Sequence, residues 1–266
     1  MDIATIIGLA GAWGALLVSA VMEGTNLRSL LAPSAFILVV GGTLGATIIS
    51  YSMEDVAALP KVIALAFKKQ DTDPLKFIDL LVGFAEKARR EGLLILQEFI
   101  NETEDKFLVR GMNLVIDGAD PELVRNILET EVVFLEKRHS TAASMFETAG
   151  GFAPTMGIIG TVVGLIKVLG SIENASELSK GIAVAFLATF YGISTANLIW
   201  LPIANKLKLK SRTELLIKEM ILEGILSIQA GENPRIVREK LEVFLPPKLQ
   251  KVAQPKGHGE GGDTSE

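Results

Sequence analysis

The sequence predicts an all-α integral membrane protein: four transmembrane helices, with a helical cytoplasmic domain inserted between helices 2 and 3. Three observations carry this reading. Four apolar runs, Ile3–Met22, Ser34–Met53, Phe152–Ile172 and Gly181–Ile203, contain no Asp or Glu, and each has the roughly 20 residues that cross a hydrocarbon core as a helix. The 266-residue chain is 49% hydrophobic with a mean hydropathy of +0.40, too apolar for a soluble domain of this size. The polar segments show helical rather than alternating apolar spacing. Inside lipid each backbone N–H and C=O must be paired within its own segment, so isolated runs like these cross as helices. The missing carboxylates have a consequence: if the chain conducts ions, the group that binds and releases them comes from elsewhere.

Run one has no basic leader. Asp2 precedes it and the first basic residue is Arg28, so it is expected to stay as a membrane helix rather than be cleaved as a signal. Of the 26 Lys and Arg, 12 lie in residues 54–151 and 11 in residues 204–266. The connections 23–33 and 173–180 carry one each, Arg28 and Lys180. The positive-inside rule then places both large segments and both termini of this multi-pass protein in the cytoplasm. Lys167 is the one charge within a run. Either its stem snorkels to the outer interface, or it lines a pore.

The expected organisation is residues 1–53 as membrane helices 1 and 2, 54–150 as the cytoplasmic helical domain, 151–203 as membrane helices 3 and 4, 204–245 as a helical extension and 246–266 as a disordered tail. Within the insert, Leu80, Leu81, Phe84, Ala88 and Leu123, Ile127, Leu128 recur at helical spacing. Asp73–Pro74 and Asp120–Pro121–Glu122 each give an N-cap followed by a proline at the first helical position. No breaker follows Pro121 until Gly150–Gly151, which predicts one long helix feeding run three. Residues 205–229 continue run four as an amphipathic helix. Asn233–Pro234 opens a last helix ending near Pro246–Pro247, and the Pro-, Gly- and charge-rich residues 248–266 have almost nothing to bury.

Composition excludes several classes. There is no cysteine, and His139 and His258 are the only histidines, so neither a disulfide framework nor a metal cluster is expected. The net charge of −5 does not favour nucleic acid. No catalytic residue and no enzyme activity are expected, since an intramembrane enzyme or a self-contained transporter would carry ionisable or nucleophilic groups at mid-membrane.

What the runs do carry is small residues, hydroxyls and prolines. Gly157, Gly160 and Gly164 in run three, and Gly41 and Gly45 in run two, have spacings that let helix backbones approach. They serve either helix packing or a surface along which another helix moves. Thr161 and Thr189 lie roughly 14 and 21 Å from the cytoplasmic ends of runs three and four at about 1.5 Å per residue. Each hydroxyl either bonds its own helix or faces a shared pore. Pro154 and Pro202, near those cytoplasmic ends, are either bends or hinges.

Ala153-Pro154-Thr155-Met156-Gly157-Ile158-Ile159-Gly160-Thr161-Val162-Val163-Gly164-Leu165 closely resembles the third membrane helix of the flagellar motor stator A subunits, the MotA family. Residues 181–192, Gly-Ile-Ala-Val-Ala-Phe-Leu-Ala-Thr-Phe-Tyr-Gly, resemble the fourth. Residues 88–94, 119–123 and 233–235 also match the pattern, and the resemblance covers residues 1 to about 245 in order and spacing. It implies a homo-oligomer, a pentameric ring, around a B-type stator subunit that carries the ion-binding Asp. It also implies a rotor switch-complex protein as second partner and no cofactor, the complex conducting H+ or Na+. Carried over by position, Thr161 and Thr189 line the ion path, Pro154 and Pro202 couple ion flow to conformational change, and Arg89 and Arg90 engage an acidic rotor surface.

Two positions depart from the pattern. Gln97 stands where the family places its rotor-facing glutamate, and Glu98 is one residue on, about 100° around a helix. Ala188 stands where sodium-driven members have a second threonine, which leaves one oxygen fewer and leans the expectation to protons. An ExbB/TolQ-type energiser of outer-membrane processes is the alternative, although its large insert follows the first of three spans rather than the second of four.

Overall fold

The computed structural model describes residues 2–68, 73–100, 103–170, 175–247 and 249–250. The regular structure among the described residues is all helical, and the chain divides into two compact units: residues 1–70 with 137–211, and residues 71–136 with 212–266. The cuts fall elsewhere than the ends of the apolar runs, because α4 and the polar turns that continue runs three and four bond to one another within the first unit.

In that first unit α1 (Ile3–Met22) starts at Asp2, whose Oδ1 accepts the Ala4 N–H at 3.2 Å. After a 3₁₀ turn at Leu27–Leu30, α2 (Pro33–Phe36), a π turn (Ile37–Gly41) and α3 (Gly42–Ser50) form one apolar rod. α4 (Met53–Phe67) follows, capped by Ser52. It belongs with the apolar helices for a physical reason. The last carbonyls of a helix have no partner in the helix, and Lys210 Nζ donates to those of Leu65 and Ala66 at 2.7 and 3.0 Å and to that of Lys68. The Asp2 N–H donates to Phe67 O at 3.0 Å. Asp2 also pairs with Lys206, and hydrogen bonding from that ammonium holds its carboxyl below the usual range.

Two longer helices pass through both units. α8 (Pro121–Leu169) runs straight through Gly150–Gly151 and Pro154, so the glycines do not end it. A Cβ on Gly150 would lie 2.7 Å from Leu201 Cδ2, so a larger residue there would require the Leu201 side chain to shift. α9 (Ala175–Thr195), a π turn (Ala196–Trp200) and α10 (Leu201–Gln229) follow in continuous helical form. Pro202 lacks the N–H that Leu198 O would accept in an α-helix, and its ring would press on that carbonyl; the π turn widens the backbone where this conflict falls. Four stretches are long and apolar enough to cross a membrane: Ile3–Met22, Leu27–Ser50, Pro121–Leu169 and Ser176–Gln229.

The second unit has a core of its own. α5 (Pro74–Glu91), α6 (Leu96–Ile100), α7 (Lys106–Ile116), α11 (Pro234–Glu242), the first turns of α8 and the last of α10 bury Leu81, Phe84, Leu108, Met112, Leu128 and Ile225 among others. The expected caps are present. Asp73 accepts from Leu75 N–H, Asp120 from Glu122 N–H and Asn233 from Arg235 N–H. Asp105 caps α7 and pairs with Lys218 Nζ at 2.7 Å in a site where both side chains are under a fifth exposed. Leu123 does not join the core: it is 51% exposed, and the buried stripe at the start of α8 runs through Val124 and Leu128. Two apolar stripes overlap there in sequence, and only one can face inward. Leu249 packs against the core and Gln250 Nε2 donates to Leu245 O at 2.8 Å; residues 251–266, the rest of the expected disordered tail, lie outside the described residues.

One ion pair ties α11 to the end of α10. Lys240 Nζ lies 2.6 Å from Glu232 Oε1 and 3.8 Å from Glu223 Oε1. The hydrogen bond from Lys240 holds the Glu232 carboxyl below its ordinary value, and the same bond raises Lys240. The lowered acid contributes stability above its ordinary range and loses it as pH falls through the lowered value. The raised base contributes below its ordinary range and loses it as pH rises through the raised value. Lys240→Met is expected to cost about 0.5–1 kcal/mol at neutral pH after solvent screening. The gap to the wild-type chain should close in acid once Glu232 protonates, as measured by thermal unfolding of the detergent-solubilised protein along a pH series.

Candidate functional site

The site is built on a seam between α8 and α9, both in the first unit. Residues three and four apart share a helix face, so Gly157, Gly160 and Gly164 form one stripe on α8, and Ala185, Ala188 and Gly192 form one on α9. The stripes meet without side chains between them. A Cβ on Gly157 would lie 2.9 Å from Ala188 O and 3.1 Å from Thr189 Cα. One on Gly160 would lie 2.5 Å from Ala188 Cβ, and one on Gly164 2.8 Å from Ala185 Cβ. On the other helix, a Cβ on Gly192 would lie 2.5 Å from Ala153 O and 3.2 Å from Pro154 Cα. These glycines therefore serve packing within the chain. Gly41 and Gly45 have nothing within 4 Å of a built Cβ and serve no packing among the described residues.

Because the backbones are this close, the short side chains of Thr161 and Thr189 touch. Their hydroxyls are 2.5 Å apart, and Thr161 Oγ1 is also 3.1 Å from Gly157 O and 3.1 Å from Ala185 O. Each hydroxyl has one proton to give. If Thr189 donates to Thr161, then Thr161 donates to a carbonyl and both protons are placed; if Thr161 donates to Thr189, the Thr189 O–H is left to donate outside the pair. The arrangement is a half-buried, uncharged cluster of four oxygens that can pass a hydrogen bond along or offer lone pairs to a cation.

The two alternatives for Thr161 are both realised, since it contacts its own helix carbonyl and faces Thr189. The depths counted from the run ends differ by roughly 7 Å at about 1.5 Å per residue, yet the hydroxyls are in contact. Run ends mark where hydropathy changes, and helices that continue past them keep no register there. Ala188 does not stand with the hydroxyls. It is 1% exposed, faces Gly160 and packs with Ala32, Ala35 and Val39. Pro154 lies in the seam, while Pro202 is exposed on a cleft of about 500 Å³ lined by Gly8, Trp13, Phe67 and Lys206. Lys167 is exposed on the rim of a second cleft, about 530 Å³, with Ser34, Leu38, Glu177 and Lys180.

In the second unit Arg89 and Arg90 end α5 and Glu98 begins α6. Gly92, at φ +88°, makes the turn between them in a conformation that favours glycine. Lys87 Nζ sits 2.9 Å from the centre of the Phe99 ring and holds the two helices together. All three charged residues are exposed and none makes an ion pair among the described residues. Gln97 is equally exposed, so accessibility does not separate it from Glu98.

A hydropathy reading passes over Tyr191, because an aromatic ring counts as apolar. Its hydroxyl nevertheless reaches the backbone of residues 30 and 32. A lone Tyr in the middle of an apolar run, where its O–H needs a partner, is the signal.

Gly192→Ala is expected to destabilise the protein by about 1–3 kcal/mol, since the new methyl meets backbone that has no rotamer to yield. Gly41→Ala, in open space, should be neutral. Thermal unfolding in detergent of the two variants against the wild type measures the difference.

Comparisons with known proteins show the family. The chain matches the model of the MotA/TolQ/ExbB proton channel family over residues 99–220 and that of the motility protein A N-terminal region over residues 6–92. It is 36% identical over 267 residues to motility protein A of Bacillus subtilis, covering 100% of this chain and 99% of that protein. Among solved structures, the flagellar MotAB stator complex from Bacillus subtilis aligns at TM-score 0.88 and 37% identity, covering 94% of this chain and 98% of that one. The C. jejuni MotAB structure aligns at TM-score 0.89 and 32% identity, covering 93% and 97%.

Proposed function

Since the chain belongs to the motility protein A family, within the MotA/TolQ/ExbB proton channel family, and is a stator subunit of the bacterial flagellar motor, we propose that it supplies the uncharged wall of an ion path whose binding carboxylate sits on a B-type partner. The ExbB/TolQ alternative is set aside, because the relatives are motility proteins along nearly their whole length.

The observation that carries the proposal is the Thr161–Thr189 pair in runs that hold no Asp or Glu. A lone carboxylate at mid-bilayer is costly and is kept only for a task. Hydroxyls and carbonyls cost little once bonded, and they can hand a proton or partly dehydrated cation to a carboxylate that arrives on another helix. In this reading the four candidate spans cross a bacterial inner membrane with both termini in the cytoplasm, and several copies, five in a ring, surround the partner's helices. Pro154 stands in the α8–α9 seam, where a change of helix setting would reach the hydroxyl pair. Arg89, Arg90 and Glu98 project into solvent and are free to meet a rotor switch-complex protein. Protons are the favoured ion: the two hydroxyls already form a hydrogen-bonded pair, and Ala188 adds no oxygen ligand to it.

Two experiments test this. The chain is co-produced with its B-type partner in motile cells, and swimming speed is followed against external sodium and against a protonophore. A proton path predicts collapse with the protonophore and no dependence on sodium; the reverse pattern assigns sodium. Arg89→Glu with Arg90→Glu is expected to lower torque at least about threefold while leaving co-purification of the partner intact. Loss of co-purification would place these arginines in assembly instead.

A further inference from the structure

The 3₁₀ turn Leu27–Leu30 and α2 are joined by two extended residues, Leu31 (φ −95°, ψ 106°) and Ala32 (φ −125°, ψ 90°). Extended backbone cannot satisfy its own polar groups, and at membrane depth there is no water to do so. Ala32 is 5% exposed and α2 has no side-chain cap. The Tyr191 hydroxyl takes on both sides of this gap. It donates to Leu30 O and accepts the Ala32 N–H at 3.0 Å. Its ring meets Phe36 edge-on, with centroids 6.0 Å apart and planes at 89°. Ala32, Ala35, Val39 and Ala188 close the cluster, with Tyr191 packed on it.

Tyr191 lies two residues after Thr189, about 200° around the helix at 3.6 residues per turn. α9 therefore presents Thr189 to Thr161 on one face and grips the start of α2 with another. The grip fixes how α9 is rotated, and it ends one residue before the π turn Ile37–Gly41, where the rod α2–α3 departs from regular helix. We propose that Tyr191 is a positioning residue of the ion path: its hydroxyl clamps the Leu30–Ala32 backbone to α9 and sets the rotation that brings Thr189 Oγ1 against Thr161 Oγ1. This rests on the ion-path reading above. Losing the hydroxyl leaves Leu30 O and the Ala32 N–H without their partner, and α9 then turns towards whatever satisfies them.

The test is Tyr191→Phe in the full stator complex in motile cells. Membrane level and partner co-purification should be retained. The concentration of coupling ion that gives half-maximal speed should rise about fivefold, the factor that one buried hydrogen bond is worth. Phe36→Leu removes the edge-on ring and keeps the hydroxyl, and should shift it less than about twofold. If Tyr191→Phe leaves ion dependence unchanged while Thr189→Ala alters it, the clamp is overturned and the ion path stands. If neither variant alters it, the ion path itself falls. Should Tyr191→Phe fail to reach the membrane, 3,5-difluorotyrosine at residue 191 keeps the ring and hydroxyl but changes its hydrogen bonding. A shifted half-maximal concentration then supports the clamp, and an unshifted one overturns it.

Discussion

The backbone contact between α8 and α9 is the constraint from which the rest follows. Where Gly157, Gly160 and Gly164 face Ala185, Ala188 and Gly192, two helices approach more closely than any larger residue allows. In lipid, hydrophobicity does not push helices together, so close packing of small residues has to do it. The same closeness decides the chemistry. Threonine is a short side chain, and only across such a seam do Thr161 and Thr189 share a hydrogen bond. Packing and site are thus one feature, and a methyl added to the seam would damage both.

On the proposed function, a paired set of hydroxyls serves an ion as a station and does not drive it. It has no charge to bind a proton tightly and no acid to release it, because no carboxylate lies in any apolar run. The proposal therefore divides the labour between chains: one contributes a neutral wall that can be moved cheaply, another the costly carboxylate. Arg89, Arg90 and Glu98, at the end of α5 and the start of α6, are exposed and make no ion pair among the described residues, which is what the proposed rotor contact requires.

Much of this was legible in the sequence, and the parts that were share a cause. Helix starts at Asp73, Asp120 and Asn233 follow from local capping chemistry, and the four runs follow from composition; neither depends on what packs where. The glycine spacing announced close approach, though only the structure says which helix approaches. What the sequence concealed is tertiary. Hydropathy places Thr161 and Thr189 at different depths, because it cannot see that helix continues past the run ends through α8 and α10. It reads Leu123 as core, because two stripes overlap at the start of α8 and the choice is made by α7 and α10. It misses the two π turns and the Tyr191 bonds, because hydroxyl-to-backbone contacts 159 and 161 residues apart in the chain leave no periodic trace.

The account is tested most directly by ion flux into liposomes holding this protein alone or together with its B-type partner. With no carboxylate in its apolar runs, the chain by itself should give a flux no greater than empty vesicles, and the assembled complex should conduct until the partner's membrane aspartate is replaced by asparagine. Steady flux through the chain alone, abolished by Thr161→Val, would show that the hydroxyls conduct unaided and would contradict the division of labour on which the account stands.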